Sequence, residues 1–291
     1  MVAVIIIIAV LVAAIFIPDT AAAWGPSTHL LVGKHVLDAM SSANFPAGPL
    51  LTAYPLDFLY GSIFADMNLG KKFLFFARLA HNWRVGFRLL ESAETEANRA
   101  CAYGYLAHLA ADTISHNEYV PIKLVEQYHQ KGKGHIFFEV AFDAMLPYDP
   151  SRESKEIVRE GSAKNDAFLE AVLTRTLLSF QTNRKIYRGI LSFNRNNGIR
   201  AIRRWRARSQ TVVGHQEVEE YMKKIEETVQ DFLLRERAGA CYGMDPHGKA
   251  IIKQAIKLRR KLRNKMNHEN LSPNDVKQAL EALRPGAIEN R

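Results

Sequence analysis

Apolar residues recur at intervals of three and four along most of the chain, which is the spacing of amphipathic helices. None of these segments alternates as a half-buried strand does, and prolines separate several of them. The pattern therefore predicts an all-α protein. The clearest predicted helices cover residues 29–40, 72–90, 96–115, 135–145 and 218–234, with a last short helix that follows an N-cap at Ser272 and runs through Leu283.

The amino terminus is an uncharged apolar run over residues 2–17. It is shorter than the roughly 20 residues that span a bilayer core. Residues 18–20 break the run, and Ala21–Ala23 form a small-residue site of the kind that signal peptidase cuts. We therefore predict a signal peptide over residues 1–23 and export to the periplasm or the extracellular space. Because no Lys or Arg precedes the run, an uncleaved membrane anchor is the alternative.

The net charge of +9 is unevenly distributed. Residues 1–150 contain 10 Lys and Arg against 13 Asp and Glu, whereas residues 151–291 contain 29 against 17. Seven of the ten histidines also lie between residues 29 and 135, and a proline-bearing stretch at 147–154 marks the change. This predicts a histidine-rich helical region over 24–150 and a basic helical region over 151–291, which is either separate or part of the same domain.

The basic half has two segments that suit a phosphate-bearing surface. Arginines surround Trp205 at residues 200–208, and residues 251–265 mix aliphatic and basic side chains as an amphipathic helix does. Such segments favour contact with an anionic membrane, and a nucleic-acid backbone is possible. Ordinary solvated helix faces are the alternative.

The histidines and acids repeat a spacing of four residues. His108, Asp112 and His116 would project from one face of a helix, and His135 and Glu139 repeat the spacing on another. Apolar residues fill the interval between His108 and Asp112, so that helix looks buried. Ionisable groups on a buried stripe are costly without a cation or close pairing. Two ligands at this spacing are already aimed at one metal ion.

Upstream of these residues lie Trp24 at a predicted mature amino terminus, His29, Asp66 and His81. Taken in order along the chain, all these residues resemble the ligand series of the bacterial zinc-dependent phospholipase C family. That family is all-helical and shares its architecture with the single-strand-specific zinc nucleases, and the resemblance covers about residues 24–146. The residues that carry it are Trp24 at a mature amino terminus, His29, Asp66, His81, His108, Asp112, His116, His135 and Glu139.

The resemblance implies a cluster of up to three zinc ions between the helices of a bundle. One ion would be held by Asp66, His81, His108 and Asp112. A second would be held by Trp24, through its free amino nitrogen and carbonyl oxygen, with His29 and the bridging Asp112. The third would be held by His116, His135 and Glu139. All these ligands offer nitrogen or oxygen, as zinc accepts.

His116 and two aromatic residues need separate comment. The interval between Asp112 and His116 is one helical turn, which is shorter than the family commonly has, so His116 departs from the pattern. Trp83 and Tyr105 neighbour ligand positions and could bind substrate, although aromatic residues at helical spacing also serve as core.

The two cysteines, Cys101 and Cys241, form no metal-binding pair, and the sequence leaves open one disulfide bridge between them.

The implied function is hydrolysis of a phosphodiester by metal-activated water, with Asp66 to orient or deprotonate that water. We expect an exported, monomeric, phospholipase C-like enzyme that meets a phospholipid or membrane surface. A single-strand-specific zinc nuclease is one alternative. A non-catalytic, membrane-associated helical protein that binds metal is another.

Overall fold

The computed structural model describes residues 24–42, 45–67, 81–130, 134–148, 153–172 and 212–283. Within these ranges the regular structure is helical and contains no strand, which confirms the all-α prediction. The predicted signal peptide over residues 1–23, the first part of the predicted helix 72–90 and the arginines at 200–208 lie outside the described residues.

Eleven helices are labelled here in chain order. They are α1 (Pro26–Ser42), α2 (Gly48–Ala53), α3 (Pro55–Phe64), α4 (Trp83–Glu91), α5 (Glu96–Ile114), α6 (Val120–Glu126), α7 (His135–Met145), α8 (Glu153–Val172), α9 (His215–Arg235), α10 (Lys249–His268) and α11 (Pro273–Glu281). Short 3₁₀ turns cover Ala65–Met67, Glu236–Ala238 and Ala240–Gly243, and a π-helical turn covers Ser115–Tyr119.

Polar caps set the starts of several helices. The Asn82 side chain accepts a hydrogen bond from the Val85 amide, so α4 begins at Trp83. The predicted helix over 72–90 therefore does not include His81, which lies just ahead of the cap. Ser272 begins α11 as expected, in a reciprocal capping arrangement with Asp275.

Helix α5 is the centre of the fold and is buried along most of its length. It crosses α3 so closely that the two backbones touch at a pair of glycines. A Cβ on Gly61 would stand 1.9 Å from the Cys101 carbonyl oxygen, and one on Gly104 would stand 1.9 Å from that of Phe58. This approach brings the turn after α3, which carries Asp66, toward the carboxyl-terminal half of α5.

The carboxyl-terminal helices pack on the same core. Helix α8 lies against α3, α9 lies against α5 and α1, and α10 lies against α6. The Trp83 indole stacks on Phe232 of α9, with ring centres 4.8 Å apart. Buried apolar residues from both sides of 147–154, such as Leu146 and Ile157, therefore belong to one core. Cys101 and Cys241 are both buried free thiols, so the structure does not contain the disulfide bridge that the sequence left undecided. No helix of the described part is long and apolar enough to cross a bilayer.

Candidate metal centre

Helix α5 presents two of the predicted ligands toward the interior of the bundle. The His108 ring nitrogen Nδ1 lies 2.8 Å from the Ser62 carbonyl oxygen. A carbonyl oxygen only accepts hydrogen bonds, so Nδ1 carries the proton and donates it. When the His108 ring is neutral, its lone pair is then on Nε2, which faces the other predicted ligands. Metal-binding histidines are held in this way, with the second ring nitrogen bonded to a carbonyl or carboxylate.

Two side chains from other elements lie close to His108 Nε2. His81 Nε2 lies 3.1 Å from it, and Asp66 Oδ1 lies 3.4 Å from His81 Nε2 and 3.9 Å from His108 Nε2. The loop before α4 supplies His81, and the 3₁₀ turn after α3 supplies Asp66. One group of ligand atoms within 4.8 Å of one another contains His81, His108 and Asp112.

Asp112 lies between two histidines, and each of its oxygens faces a different one. Oδ2 is 3.1 Å from His108 Nε2, whereas Oδ1 is 3.5 Å from His29 Nε2. His29, Asp66 and His108 form a second group within 4.8 Å. This arrangement suits a carboxylate that bridges two cations, which is the role the resemblance implies for Asp112.

Several buried polar atoms of the cluster have no hydrogen-bond partner among the described residues. They are His29 Nε2, Asp112 Oδ1, Asp112 Oδ2 and Glu139 Oε2. An unsatisfied buried polar atom costs about 1–3 kcal/mol, and more when it is charged. Cations bound at these atoms would satisfy them, and their nitrogen and oxygen chemistry matches that of zinc. The described residues therefore fit the metal.

The remaining predicted ligands form a looser group. His116 Nε2 lies 3.3 Å from Glu139 Oε1, whereas the His135 ring centre is 6.5 Å from that of His116. The expectation of one α-helical face through His116 is corrected here, because the π-helical turn interrupts α5 at Ser115. The turn directs His116 to Glu139 on α7, whereas Asp112 faces His108 and His29. π-Helical turns of this kind are frequent at functional sites.

Trp24 is fully buried beside α5. Its indole Nε1 donates a hydrogen bond of 3.1 Å to the carbonyl of Ala111, the neighbour of Asp112, and its ring packs against Phe142 at 4.4 Å. The predicted amino-terminal ligand is thus anchored one residue from the bridging acid.

Asp143 on α7 fixes the first turn of α1, and the sequence analysis missed it. Its carboxylate accepts hydrogen bonds from the backbone amides of Ser27 (3.0 Å) and Thr28 (3.1 Å) and from the Thr28 hydroxyl (2.5 Å). Burial raises the pKa of Asp143 to about 6. Because Asp143 is four residues beyond Glu139, the spacing that found the ligands could have found it.

The electrostatics of the cluster without metal are those of crowded imidazoles and carboxylates. Burial, helped by the charge of His108, lowers the pKa of His29 to about 3. Burial would also lower the pKa of His108, but Asp112 and Asp66 raise it to about 9. Burial would lower the pKa of His116, but the hydrogen bond to Glu139 and the charges of Asp112 and Glu139 together raise it to about 10.

The carboxylates respond to the same neighbours. Burial alone would raise the pKa of Asp66, yet the surrounding imidazoles, that of His108 first, hold it below its ordinary range. Burial raises the pKa of Glu139 to about 7 despite the opposing effect of His116. Asp66 is therefore an ionised carboxylate at neutral pH.

The cluster reaches solvent along one edge. The side chains of Asp66 and His81 are 21% and 15% exposed, whereas those of His29, His108 and Asp112 are at most 1% exposed. Within the described residues, a substrate would therefore approach from the Asp66 and His81 edge.

The two aromatic residues suggested for substrate binding are packing residues in this structure. Tyr105 is fully buried, and burial raises the pKa of its hydroxyl above its ordinary range. Trp83 is 9% exposed, stacks on Phe232 and donates a hydrogen bond of 2.9 Å from Nε1 to the Met244 carbonyl. Their placement lends no support to contact with substrate.

His247, from the loop before α10, was not among the predicted site residues. Its ring centre is 5.6 Å from that of His81, and its Nε2 is buried without a hydrogen-bond partner among the described residues. Burial, followed by the charges of His81 and His116, lowers the pKa of His247 to about 4. An isolated histidine in the basic half gave no spacing signal.

Fold and site together define a class: a protein whose described residues are helical and which gathers imidazole and carboxylate groups that could hold a metal ion. The family model for zinc-dependent phospholipase C matches residues 28–187, which is more than half of the chain. The chain therefore belongs to the zinc-dependent phospholipase C family, as the sequence resemblance indicated. No curated protein matches it, and neither does any solved structure.

Family membership extends the earlier resemblance in one direction. The match begins at Thr28, just before His29, and continues to residue 187, beyond the end of the expected region at 150. It supports zinc as the metal and a phospholipase C-like zinc hydrolase as the kind of protein. His247 lies outside the matched residues.

Proposed function

We propose that this protein is an exported zinc-dependent hydrolase that cleaves the glycerol-side phosphodiester of a phospholipid. The observation that carries the proposal is the position of Asp112, whose two oxygens face His108 and His29 respectively. Two cations held so closely would lower the pKa of a water molecule and neutralise charge on phosphate oxygens.

The chain's own residues would divide the remaining work. Asp66 lies at the exposed edge, where its ionised carboxylate can accept a hydrogen bond from water. Because a general base works best when its pKa is near the operating pH, the depressed pKa of Asp66 favours orienting the water over removing its proton. Ser62 keeps the His108 ring turned toward the cluster through its carbonyl.

The surface beside the site supports a phospholipid substrate. Helix α10 begins directly after the loop that carries His247, and it contains no acidic residue. Lys249, Lys253 and Lys257 recur at four-residue spacing and are exposed, so one face of α10 is cationic. Such a face favours an anionic lipid surface.

Metal-dependent cleavage of lipid tests the proposal. Zinc-loaded protein should release a phosphorylated headgroup and diacylglycerol from phosphatidylcholine vesicles, and a chelator should abolish the release. His108→Ala should lose the activity, whereas His215→Ala, an exposed histidine on α9, should keep it. Preferential cleavage of single-stranded DNA would replace the lipid proposal with a nuclease. Zinc binding without turnover of either substrate would leave the non-catalytic alternative.

A further inference from the structure

The loop at Met244–Gly248, here called the 244–248 loop, lies over the metal-binding cluster. Three successive carbonyls of this loop accept hydrogen bonds from side chains at or beside the cluster. Trp83 Nε1 donates to Met244, Asn117 Nδ2 to Asp245 and His116 Nδ1 to Pro246, at 2.9, 2.9 and 2.5 Å. Hydrogen bonds therefore hold the loop both to α4 and to the π-helical turn.

The backbone after these carbonyls is equally constrained. Gly248 has a φ of +53°, and a Cβ there would stand 2.1 Å from the His116 carbonyl oxygen. Asp245 accepts hydrogen bonds from the amides of His247 and Lys249. Glycine is thus required on two counts at the residue after His247, and the position of His247 is fixed from both sides.

His247 is the histidine of this loop, and its ring lies beside that of His81. Two imidazoles on one tetrahedral zinc, with Zn–N distances of about 2.0–2.1 Å, place their ring centres roughly 5 Å apart. The His81 and His108 ring centres are 5.1 Å apart, and those of His81 and His247 are 5.6 Å apart. His247 thus stands at nearly the same distance from His81 as an assigned ligand does.

The unsatisfied nitrogen gives the second, independent observation. His247 Nε2 is buried and lacks a hydrogen-bond partner in the described ranges, a state it shares with His29 Nε2 and the oxygens of Asp112. An imidazole nitrogen that neither reaches water nor accepts a hydrogen bond is costly to bury. A shared cation removes that cost.

We propose that His247 is an additional ligand of the zinc ion that Asp66, His81, His108 and Asp112 would hold. The carboxyl-terminal part of the chain, beyond the family match, would thereby contribute directly to the metal centre. The inference rests on zinc binding and not on hydrolysis, so it stands or falls separately from the phospholipid substrate.

Cobalt substitution of a cysteine variant tests ligation directly. In His247→Cys loaded with Co²⁺, a thiolate that replaces the imidazole should give a sulfur-to-cobalt charge-transfer band in the near ultraviolet. His215→Cys, at an exposed position on α9, should give no band beyond that of the unaltered protein, whose two thiols are buried. No band in His247→Cys, with zinc content unchanged, would overturn the proposal.

A second variant keeps the test decisive if the thiol does not fit. His247→Ala should weaken the tightest affected zinc site at least about tenfold in competition with a chelator, since even residues behind the ligands cost that much. Circular dichroism confirms that the helices are retained. Zinc affinity equal to that of His215→Ala would refute ligation by His247.

Discussion

The hydrogen bonds at Asp143 allow one prediction to be worked through in magnitude. The perturbation is Asp143→Ala, which leaves the amides of Ser27 and Thr28 and the Thr28 hydroxyl without their acceptor. A hydrogen bond to a charged group contributes about 1.5–3 kcal/mol, so three at the low end give about 4.5 kcal/mol. Part of this returns if water enters, and part because Ala relieves the cost of burying the carboxylate, so we expect the free energy of unfolding to fall by about 2–3 kcal/mol.

Two milder substitutions separate the effect of the Asp143 charge from that of its individual hydrogen bonds. Asp143→Asn retains one acceptor oxygen and should cost about half as much, while Thr28→Val removes a single donor and should cost about 1–2 kcal/mol. Chemical denaturation of the metal-free protein, well above the Asp143 pKa of about 6, gives the values. Because α1 carries His29, Asp143→Ala should also lower zinc content. A loss below about 1 kcal/mol in Asp143→Ala would refute the reasoning.

The remaining predictions concern the metal, the helix crossing and the amino terminus. Before zinc binds, His108 and His116 are protonated at neutral pH, because their pKa values are about 9 and 10. Zinc binding should therefore release protons, and zinc affinity should rise with pH up to that range. Calorimetry in buffers of different ionisation enthalpy measures the proton release. Gly61→Ala should destabilise the protein by more than about 3 kcal/mol in thermal or chemical unfolding, because its Cβ overlaps the Cys101 carbonyl; an equal stability would mean that α3 and α5 separate freely. Since only a free α-amino group on Trp24 can bind zinc through nitrogen, one extra residue before Trp24 should remove one zinc ion and most activity, by metal analysis and lipid assay; full activity would exclude Trp24 as a ligand.

The sequence predicted the helices best where caps and spacing act together. Helix α7 has the expected bounds at His135 and Met145, because a glycine precedes it and apolar residues repeat through it. The missed bound at α4 has a local cause, since Asn82 captures the Val85 amide and excludes His81 from the helix.

The site was predictable only as far as helical spacing reaches. His108 and Asp112 share one helical face, and the structure brings them together. The π-helical turn could not be foreseen from local spacing, and its side chains His116 and Asn117 bond to carbonyls of the 244–248 loop, which is distant in sequence. The position of His247 could not be predicted for the same reason, because it lies beside His81 only through tertiary packing and is more than 160 residues away in sequence.

The π-helical turn also sets a limit on how this chain can change in length. A π turn closes its hydrogen bond over one residue more than an α turn does, so Ser115–Tyr119 holds one residue that a regular helix would not need. Deleting a residue there would let α5 run straight into α6 and rotate everything after it by about 100°. His116 would lose its contact with Glu139, and the 244–248 loop would lose two of the three side-chain hydrogen bonds to its carbonyls. Within these five residues, the chain should tolerate no change in the number of residues.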